Sequence, residues 1–430
     1  DGGPHNLTFV DTSFDDLSEL LTLTLSGNNN LTIPTNAFSD LNKLITLNLA
    51  NNGNITINTN SFAGLTALNS PYIPTFGGNT KILTIPADGF AGLNSSMTSL
   101  DLSGLGITTI ETDAFKTGFG SLDELILSGN GNLSIEDSAF IGLSALTSLT
   151  LTGNTLGTIV NNAFTGLSSL TDLNLNNLGI SGPVPGAAFS GLSSLTTLNL
   201  SNNNISEISG GAARFGSLDL IETINLSNNL LTAIPDHTAY FGIEDTLTTI
   251  NLSNNNISNV VLNNFHGSGS KTFDKLTEIN LSGNGNLSIV ANAFAGLSNL
   301  DTLTFNDNGD ITIAGDSFNG LSSLDFPTFT GSTNIPILNT NAFNGLSNAL
   351  TILDLTNKGI ETINANAFNG LSALTSLTLS ENASIALADS AFSGLSNLDT
   401  LTFNDNGDIT IAGNSFAGLG SLDFPTFTGS

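Results

Sequence analysis

The chain has 430 residues, of which 39% are apolar, and it carries 36 Asp and Glu against only 7 Lys and Arg, for a formal net charge of -29 at neutral pH. Nucleic acids and anionic membranes are excluded as partners, because both are bound through clustered Lys and Arg side chains that this chain lacks. No run of about twenty apolar residues occurs, so we expect no membrane span. The absence of cysteine excludes disulfides, thiolate metal sites and a cysteine nucleophile.

An internal repeat runs through the sequence. From Leu195 the chain reads Leu-x-x-Leu-x-Leu-x-x-Asn-x-Ile, and this frame returns at a usual spacing of about 24 residues. Regular copies begin at Leu20, Leu44, Leu146, Leu170, Leu300, Leu374 and Leu398. Longer or less regular copies begin at Leu68, Met97, Leu122, Ile221, Leu247, Leu276, Leu324 and Leu350, and an unfinished one begins at Leu422. The count is about 17 units, each one supersecondary element.

Most units carry a second signature, Ala-Phe-x-Gly-Leu, as in segments 163–167 and 367–371. Together the two signatures resemble the leucine-rich repeat family, in the type of about 24 residues that is common in secreted and cell-surface proteins. The resemblance covers nearly the entire chain. It implies an α/β horseshoe-like solenoid, with a parallel β-sheet on one face and short irregular or 3-10 segments and loops on the other.

The residues predict the same fold without the resemblance. In a strand, Leu198 and Leu200 point to one side, whereas Thr197 and Asn199 point to the other. A single strand cannot bury its leucines alone, so we expect the units to stack into one continuous solenoid over residues 1–430 with one long core. A phenylalanine that recurs once per repeat is expected to form a stacked spine in this core, at Phe38, Phe62, Phe90, Phe140, Phe164, Phe189, Phe294, Phe343, Phe368, Phe392 and Phe416.

The asparagine that closes each Leu-x-Leu frame, such as Asn203, is expected to bond backbone groups of the adjacent turn. Four positions depart from the pattern. Leu105 and Lys358 stand where this asparagine is expected, and Pro71 and Pro327 replace a strand leucine. Because proline has no N–H to donate to a sheet, we expect weakened strand pairing at both prolines.

Both ends of the sequence fall within a repeat, and neither shows the polar or disulfide-bonded cap that usually closes a solenoid. Residues 398–430 repeat residues 300–332 with only three changes, so a long block has been duplicated almost unchanged. Such copies are typical of a stalk, sheath or fibre. We therefore predict a non-enzymatic structural or adhesive protein, part of a longer array or a self-assembling filament or surface layer, whose partners are further repeats or other copies of itself.

The alternative function is recognition of a protein or glycan through the concave face of the sheet, a common role of the family that the sequence resembles. Small hydroxyls and amides dominate this face, and the Tyr, Trp and Arg side chains that usually anchor interfaces are scarce. The candidate contacts are Tyr72, Asp101, Glu124, Asp172, Thr197, Asn199, Asn225, Asn251, Glu278 and Asp354. A minor alternative is ice binding by Thr-x-Thr rows such as 22–24 and 302–304, although rows broken by asparagine argue against it.

Asn-x-Ser and Asn-x-Thr motifs are candidate sites of N-glycosylation. They begin at Asn6, Asn30, Asn54, Asn94, Asn132, Asn199, Asn204, Asn225, Asn251, Asn256, Asn280, Asn286 and Asn382. Chance alone predicts roughly 15 such motifs in a chain of this composition, so they are not enriched. In a eukaryotic secretory host, sugars on Asn199, Asn225, Asn251 and Asn280 would crowd successive strands and would count against ligand binding there.

Two acidic segments, 306–310 and 404–408, raise a weak possibility of calcium binding, because hard cations are often held by alternate oxygen donors around a glycine. The acidic residues concerned are Asp307, Asp310, Asp405 and Asp408. The glycine comes one place early for a calcium loop and no glutamate closes it, so a structural turn without a cofactor is favoured.

Catalysis is not expected. The histidines His5, His237 and His266 are the side chains that titrate near neutral pH, and none has a serine and a carboxylate at a recognisable spacing. The family resemblance and a surface rich in Ser, Thr and Asn predict a secreted or cell-surface protein.

Overall fold

The computed structural model describes residues 6–68, 76–79, 81–93, 96–211, 214–262, 264–265 and 272–429. Two compact units divide the chain, Asp1–Ile221 and Glu222–Ser430. Each unit is a stack of short parallel strands with almost no helix. The prediction of a parallel-strand solenoid is confirmed, and the prediction of one continuous array of about 17 repeats stays a prediction.

In the described part of the first unit, sixteen strands are joined by turns and by one 3-10 helix, Gly186–Phe189. The strands are β1 (Thr22–Thr24), β2 (Asn30–Ile33), β3 (Thr46–Asn48), β4 (Asn54–Ile57), β5 (Thr84–Ile85), β6 (Ser99–Asp101), β7 (Thr109–Ile110), β8 (Glu124–Ile126), β9 (Gly131–Asn132), β10 (Ser134–Ile135), β11 (Ser148–Thr150), β12 (Asn154–Thr155), β13 (Asp172–Asn174), β14 (Ser181–Pro185), β15 (Thr197–Asn199) and β16 (Asn204–Ser209).

The described part of the second unit contains fifteen strands and one 3-10 helix, His237–Tyr240. The strands are β17 (Thr223–Asn225), β18 (Thr249–Asn251), β19 (Asn259–Val260), β20 (Glu278–Asn280), β21 (Leu287–Ile289), β22 (Thr302–Thr304), β23 (Ile311–Ile313), β24 (Ile337–Leu338), β25 (Ile352–Asp354), β26 (Thr362–Ile363), β27 (Ser376–Thr378), β28 (Ile385–Leu387), β29 (Thr400–Thr402), β30 (Ile409–Ile411) and β31 (Phe424–Thr426).

A regular repeat contributes two strands, and each pairs in parallel with its counterpart in the next repeat. The Leu-x-Leu strands form what we call the first sheet, and each of its strands is a rung. In this sheet β1 pairs with β3, β8 lies between β6 and β11, and β13 pairs with β15; the second unit contains β17-β18-β20-β22 and β25-β27-β29-β31. Leucines face leucines in register, as Leu23 does with Leu47. The inward leucines are therefore stacked into a core.

The second strand of each repeat follows the asparagine turn and builds a second sheet. In the second unit this sheet runs without interruption through β19-β21-β23-β24-β26-β28-β30, and in the first unit it includes β2-β4, β5-β7-β10 and β14-β16. Its strands alternate buried Leu or Ile with outward polar residues, as in Leu31, Thr32 and Ile33. Periodicity in the sequence does not reveal this second sheet, because most of its strands have only two to four residues, too few to distinguish a strand from a loop.

The predicted phenylalanine spine is confirmed. The rings of Phe140, Phe164 and Phe189 lie in a stack with centroids 6.2 Å apart and interplanar angles of 14° and 2°. All three side chains are fully buried. One large ring per repeat thus fills the layer between the turns, which is where a stack of identical units needs the same volume at every level.

The asparagine ladder is also confirmed. The Asn203 Nδ2 donates to the carbonyl oxygens of Leu175 and Leu200, each at 2.9 Å, and its Oδ1 accepts from the N–H groups of Leu178 and Ile180, each at 3.0 Å. It also donates to the carbonyl oxygen of Ser201 at 3.0 Å, so one buried amide bonds five backbone groups at the point where the strand turns.

A glycine in the Phe-x-Gly signature has a second structural role. Gly142 has φ +98°, and a Cβ placed on it would lie 2.3 Å from the carbonyl oxygen of Phe115 in the preceding repeat. Both the left-handed backbone and the close approach of the neighbouring turn require a residue without a side chain.

Candidate functional site

The outward side of the first sheet, which we call the first-sheet face, carries the predicted contact residues. Asp101, Asp172, Glu278 and Asp354 are exposed there, and the other predicted contacts that the structure describes are half-buried. They form rows rather than one cluster, since Asp172 lies beside Thr197 and Asn251 lies beside Asn225 and Asn280. Tyr72 lies outside the described residues.

Asparagine at the end of a rung has a structural task that sequence reasoning missed. The Oδ1 atoms of Asn199, Asn225 and Asn251 accept hydrogen bonds from the backbone N–H two residues further on, at 3.1, 3.0 and 3.0 Å. Asp354 does the same for Thr356 at 2.9 Å. These are Asx turns that end the strand, and the repeated Asn-x-Ser and Asp-x-Thr spacing was the signal that could have revealed them.

The Thr-x-Thr rows are short. Thr22 pairs with Thr46 in register, but Thr24 pairs with Asn48, and Thr302 pairs with Glu278. A regular two-dimensional array of threonine methyl and hydroxyl groups is therefore interrupted at neighbouring rungs.

The glycosylation motifs occupy several environments. Asn6, Asn30 and Asn54 form an outer amide ladder, in which Nδ2 donates to the preceding Oδ1 at 2.8 and 2.9 Å. On the first-sheet face lie Asn199, Asn225, Asn251 and Asn280, while exposed turns and strand starts carry Asn132, Asn204, Asn256 and Asn286. Asn94 lies outside the described residues.

Asn382 does not fit a glycan. It is a buried member of the ladder whose Nδ2 donates to the carbonyl oxygens of Leu355 and Leu379, at 3.1 and 2.9 Å, and whose Oδ1 accepts from the N–H of Lys358 at 2.9 Å. A sugar on this nitrogen would require the ladder to open, so we remove Asn382 from the candidate sites.

The acidic segments take part in turns. The N–H of Asp310 donates to Asn286 Oδ1 at 2.9 Å, and its carboxylate accepts from Asn334 Nδ2 at 3.1 Å. Asp405 donates its N–H to the carbonyl of Thr428, and Asp408 donates to Ser384 Oγ at 3.1 Å. In the described part of the chain, no group of three His, Cys, Asp or Glu side chains is arranged to hold a metal ion.

Charged side chains rarely meet. Among the described residues two ion pairs occur, Lys43 with Glu19 and Lys116 with Asp113. The hydrogen bond and charge of the Asp113 carboxylate raise the pKa of Lys116 above its usual value.

Of the three histidines, His5 and His266 lie outside the described residues, and His237 begins the second unit's 3-10 helix. No described helix has the length and apolar character needed to cross a bilayer.

The regularity of the first-sheet face is broken at Pro327. In regular rungs the inward residues donate their N–H to the following rung, as Leu281 does to Thr304, and the outward residues donate to the preceding one, as Thr302 does to Thr277. Pro327 stands in an inward position, so the donor that it lacks is one directed at the following rung. Pairing to the preceding rung is kept, with Thr328 opposite Thr304.

The sheet splits on the side where the donor is missing. No hydrogen bond joins residues 326–331 to residues 352–356, and β25 pairs with β27 alone. The prediction of weakened pairing is thus confirmed at Pro327, while Pro71 lies outside the described residues. The second sheet stays paired at the same level, through β23, β24 and β26. The repeat is therefore open on one face and closed on the other.

The ladder is interrupted at the same place. Asn308 donates its N–H to Thr333 Oγ1 at 3.0 Å, so a threonine hydroxyl takes the place of the amide there. The next ladder position is Lys358, whose side chain has no acceptor. The backbone N–H of Lys358 still donates to Asn382 Oδ1, as that of the other departure, Leu105, donates to Asn130 Oδ1, each at 2.9 Å. The turn at Thr333 therefore meets no ladder amide in the following repeat, although the N–H of Ile335 still donates to the carbonyl oxygen of Lys358 at 2.7 Å.

A cavity of about 360 Å³ lies at the split, and we call it the Pro327 cleft. It is lined by segment 326–331 on one side and by Asp354, Leu355, Thr356 and Lys358 on the other. The ring of Phe326 is half-buried and turns inward, 5.1 Å from the ring of Phe343 and 5.8 Å from that of Phe329. The cleft combines an aromatic surface, hydroxyls, a carboxylate and an ammonium group.

Sequence-family models match most of the chain. The model described as leucine rich repeat matches residues 120–178 and 183–231. The model described as a BspA type leucine rich repeat region of six copies matches residues 4–95, 215–325, 268–352 and 287–423, which together are more than half of the chain. Among curated proteins, no sequence matches this chain.

Solved structures share the fold at low identity. In the Toll–Spatzle complex of Drosophila, the similar chain has a TM-score of 0.54 and 20% identity, over 94% of this chain and 55% of that chain. The protein thus spans about half the length of that relative. An internalin of Listeria monocytogenes has a TM-score of 0.40 and 20% identity, over 91% of this chain and 89% of that chain. With more than half of its length matched by the repeat models, the chain belongs to the leucine-rich repeat family.

Proposed function

We propose that this protein is a non-enzymatic recognition or adhesion protein that acts outside the cell, and that its ligand contacts lie on the first-sheet face. The observation that carries the proposal is the interruption of this face at Pro327. Elsewhere the face presents mostly small polar side chains, and several of these are engaged in the Asx turns that end the rungs. The Pro327 cleft instead brings an aromatic ring, hydroxyls, a carboxylate and an ammonium group together in one cavity.

The extracellular location is supported by the family and by the surface. A chain that shares this fold is part of the Toll–Spatzle complex. The exposed rows of Ser, Thr and Asn and the scarcity of Lys and Arg give a hydrated surface with little attraction for nucleic acid.

The experiment compares two outward faces. In one variant Thr223→Arg and Thr249→Arg enlarge neighbouring positions of the first-sheet face; in the control Thr312→Arg and Thr410→Arg add the same charge to the second sheet. Binding of the full chain to a panel of immobilised extracellular proteins and glycans is measured. We expect the first variant alone to lose binding. Equal loss, or loss in the control alone, would reject the first-sheet face as the binding surface.

A second candidate is the structural or adhesive array, in which copies of the chain or further repeats are the partners. The near-identical copies 300–332 and 398–430 favour it, because both place their proline rung in the same register, Thr328 opposite Thr304 and Thr426 opposite Thr402. Electron microscopy of native material is the test. End-to-end filaments would support an array, and free monomers that bind a soluble ligand would reject it.

A further inference from the structure

From the Pro327 cleft we infer that this protein has a binding site for a neutral saccharide, in which the ring of Phe326 contacts the sugar and Asp354 and Lys358 bond its hydroxyls. The inference rests on the proposed function and names the ligand class of the first-sheet face.

The shape of the cleft sets the size of the ligand. A volume of about 360 Å³ is at the small end of the range of about 300–1,000 Å³ usual for ligand pockets, which suits one or two sugar rings. At the same level the second sheet stays paired through β24 and β26, so the opening is confined to the first sheet. An extended peptide strand would need an open path along the rung, and the inward-turned ring of Phe326 occupies that path.

The aromatic ring provides the apolar contact. Phe326 stands at a position that alternation assigns to solvent, yet its ring lies against the buried Phe343 and remains half-exposed. A pyranose ring has a C–H face of matching size and flatness, and burying such a face against an aromatic ring removes apolar surface of both from water. The edge of the sugar then points toward the polar lining.

The polar lining matches hydroxyl groups. Asp354 uses Oδ1 to accept from the N–H and Oγ1 of Thr356, at 2.9 and 2.5 Å, which fixes the carboxylate and leaves its other oxygen as an acceptor. Lys358 adds donors, and Thr328 and Thr330 add hydroxyls that donate or accept. A sugar hydroxyl both donates and accepts, so it can bond either kind of group.

Charge favours a neutral sugar over an acidic one. One carboxylate and one ammonium group line the cleft, so their charges cancel, while the chain as a whole carries -29. A uronic or sialic acid would enter against that field, and at low ionic strength the repulsion extends beyond about 10 Å. The field has no such effect on a neutral hexose or pentose.

The test uses the full chain and a panel of neutral mono-, di- and trisaccharides, with uronic acids and extended peptides of mixed sequence as comparison ligands, measured by titration calorimetry. The lining variants are Asp354→Asn, which keeps the acceptor for Thr356, and Lys358→Met. The matched control is Asp219→Asn, an exposed aspartate in a turn outside the rungs that lines no part of the cleft. Circular dichroism confirms that each variant is folded.

We expect neutral sugars to bind the wild-type chain. Each lining variant should weaken binding about tenfold, the effect of one lost charge-assisted hydrogen bond, and Asp219→Asn should leave binding unchanged. Pro327→Leu should also abolish binding, because it supplies the missing donor and closes the cleft without removing a polar lining group. Equal binding by the wild type and all variants, preference for peptides or uronic acids, or no sugar binding at all would overturn the inference. Binding to other ligands that depends on Thr223 and Thr249 would leave the proposed function standing even then.

Discussion

Two neighbouring parts of the second unit differ in one backbone donor of the first sheet and in the ladder positions that Thr333 and Lys358 occupy. Between β20 and β22 every inward residue donates to the following rung and the sheet is continuous. At Pro327, two rungs on from β20, the corresponding donor is absent, and the sheet ends although the second sheet beside it continues. Continuity of the first sheet is thus decided rung by rung, as expected when each repeat contacts only its neighbours.

The rung of Pro425, which is a copy of the Pro327 rung, also keeps its pairing with the preceding rung. Pro425 lies in β31 and stays opposite Leu401 of the preceding rung, as residues around Pro327 stay opposite theirs. Proline is therefore tolerated on the side facing the preceding rung and disrupts the side facing the following one. This asymmetry follows from the alternation of N–H directions in a parallel sheet.

We expect the largest loss of stability when a regular rung loses its ladder asparagine, which is the side chain that Lys358 replaces. Asn203→Ala removes an amide that bonds five backbone groups, and each buried group left unpaired costs roughly 1–3 kcal/mol. We expect the free energy of unfolding in urea to fall by about 3–5 kcal/mol.

The control for this variant is Asn202→Gly. Asn202 has φ 55°, so glycine keeps the left-handed turn while the ladder stays intact. A loss equal to that of Asn203→Ala would show that the outer bond from Asn202 Nδ2 to Asn176 Oδ1, at 2.8 Å, supports the rung as much as the ladder does.

Much of this architecture is predictable from sequence because the repeat itself carries it. Leu198, Phe164 and Asn203 recur at fixed positions, so the core, the spine and the ladder follow from periodicity. The Pro327 cleft does not follow in the same way. Alternation places Phe326 in solvent, whereas its ring lies 5.1 Å from that of Phe343, beside the gap left by the missing bonds. That gap is a tertiary effect of two repeats together.

A second prediction concerns contact between turns. Gly142 and Gly118 share φ +98°, but a Cβ would lie 2.3 Å from a carbonyl oxygen at Gly142 and 3.4 Å from the nearest atom at Gly118. Both alanine variants should lose about 1–2 kcal/mol from the left-handed backbone. Gly142→Ala should lose a further 1–3 kcal/mol because the turns are forced apart. Thermal unfolding of the pair measures the difference, and equal values would show that the turns move apart without cost.

A third prediction repairs the split. Pro327→Leu restores an N–H directed at the rung 352–354, and we expect a gain of about 1 kcal/mol. Hydrogen exchange followed by mass spectrometry should show slower exchange at Phe329 and Gly331, which have no backbone bond to the following rung in the native chain. Adding Lys358→Asn should increase the protection, because an amide there can accept from the turn at Thr333. Unchanged exchange in the double variant would mean that packing of Phe326, rather than the absent donor, keeps the sheet apart.

The smallest effect is expected where a regular rung ends. Asn225→Ala removes an Asx turn in which Oδ1 accepts from the N–H of Ser227 at 3.0 Å, a half-buried bond to a group that water can reach once the side chain is gone. The expected loss is about 0.5–1 kcal/mol, and Asn225→Asp, which keeps the acceptor, should retain the stability of the wild type. Water can replace the bond of Asn225, but it cannot reach the buried amide of Asn203. The ratio of the two losses therefore compares the contributions of the outward and the buried side of a rung to its stability. If Asn225→Ala lowered the free energy of unfolding as much as Asn203→Ala, the side chains of the first-sheet face would be needed for stability. Ligand recognition would then be confined to interruptions such as the Pro327 cleft.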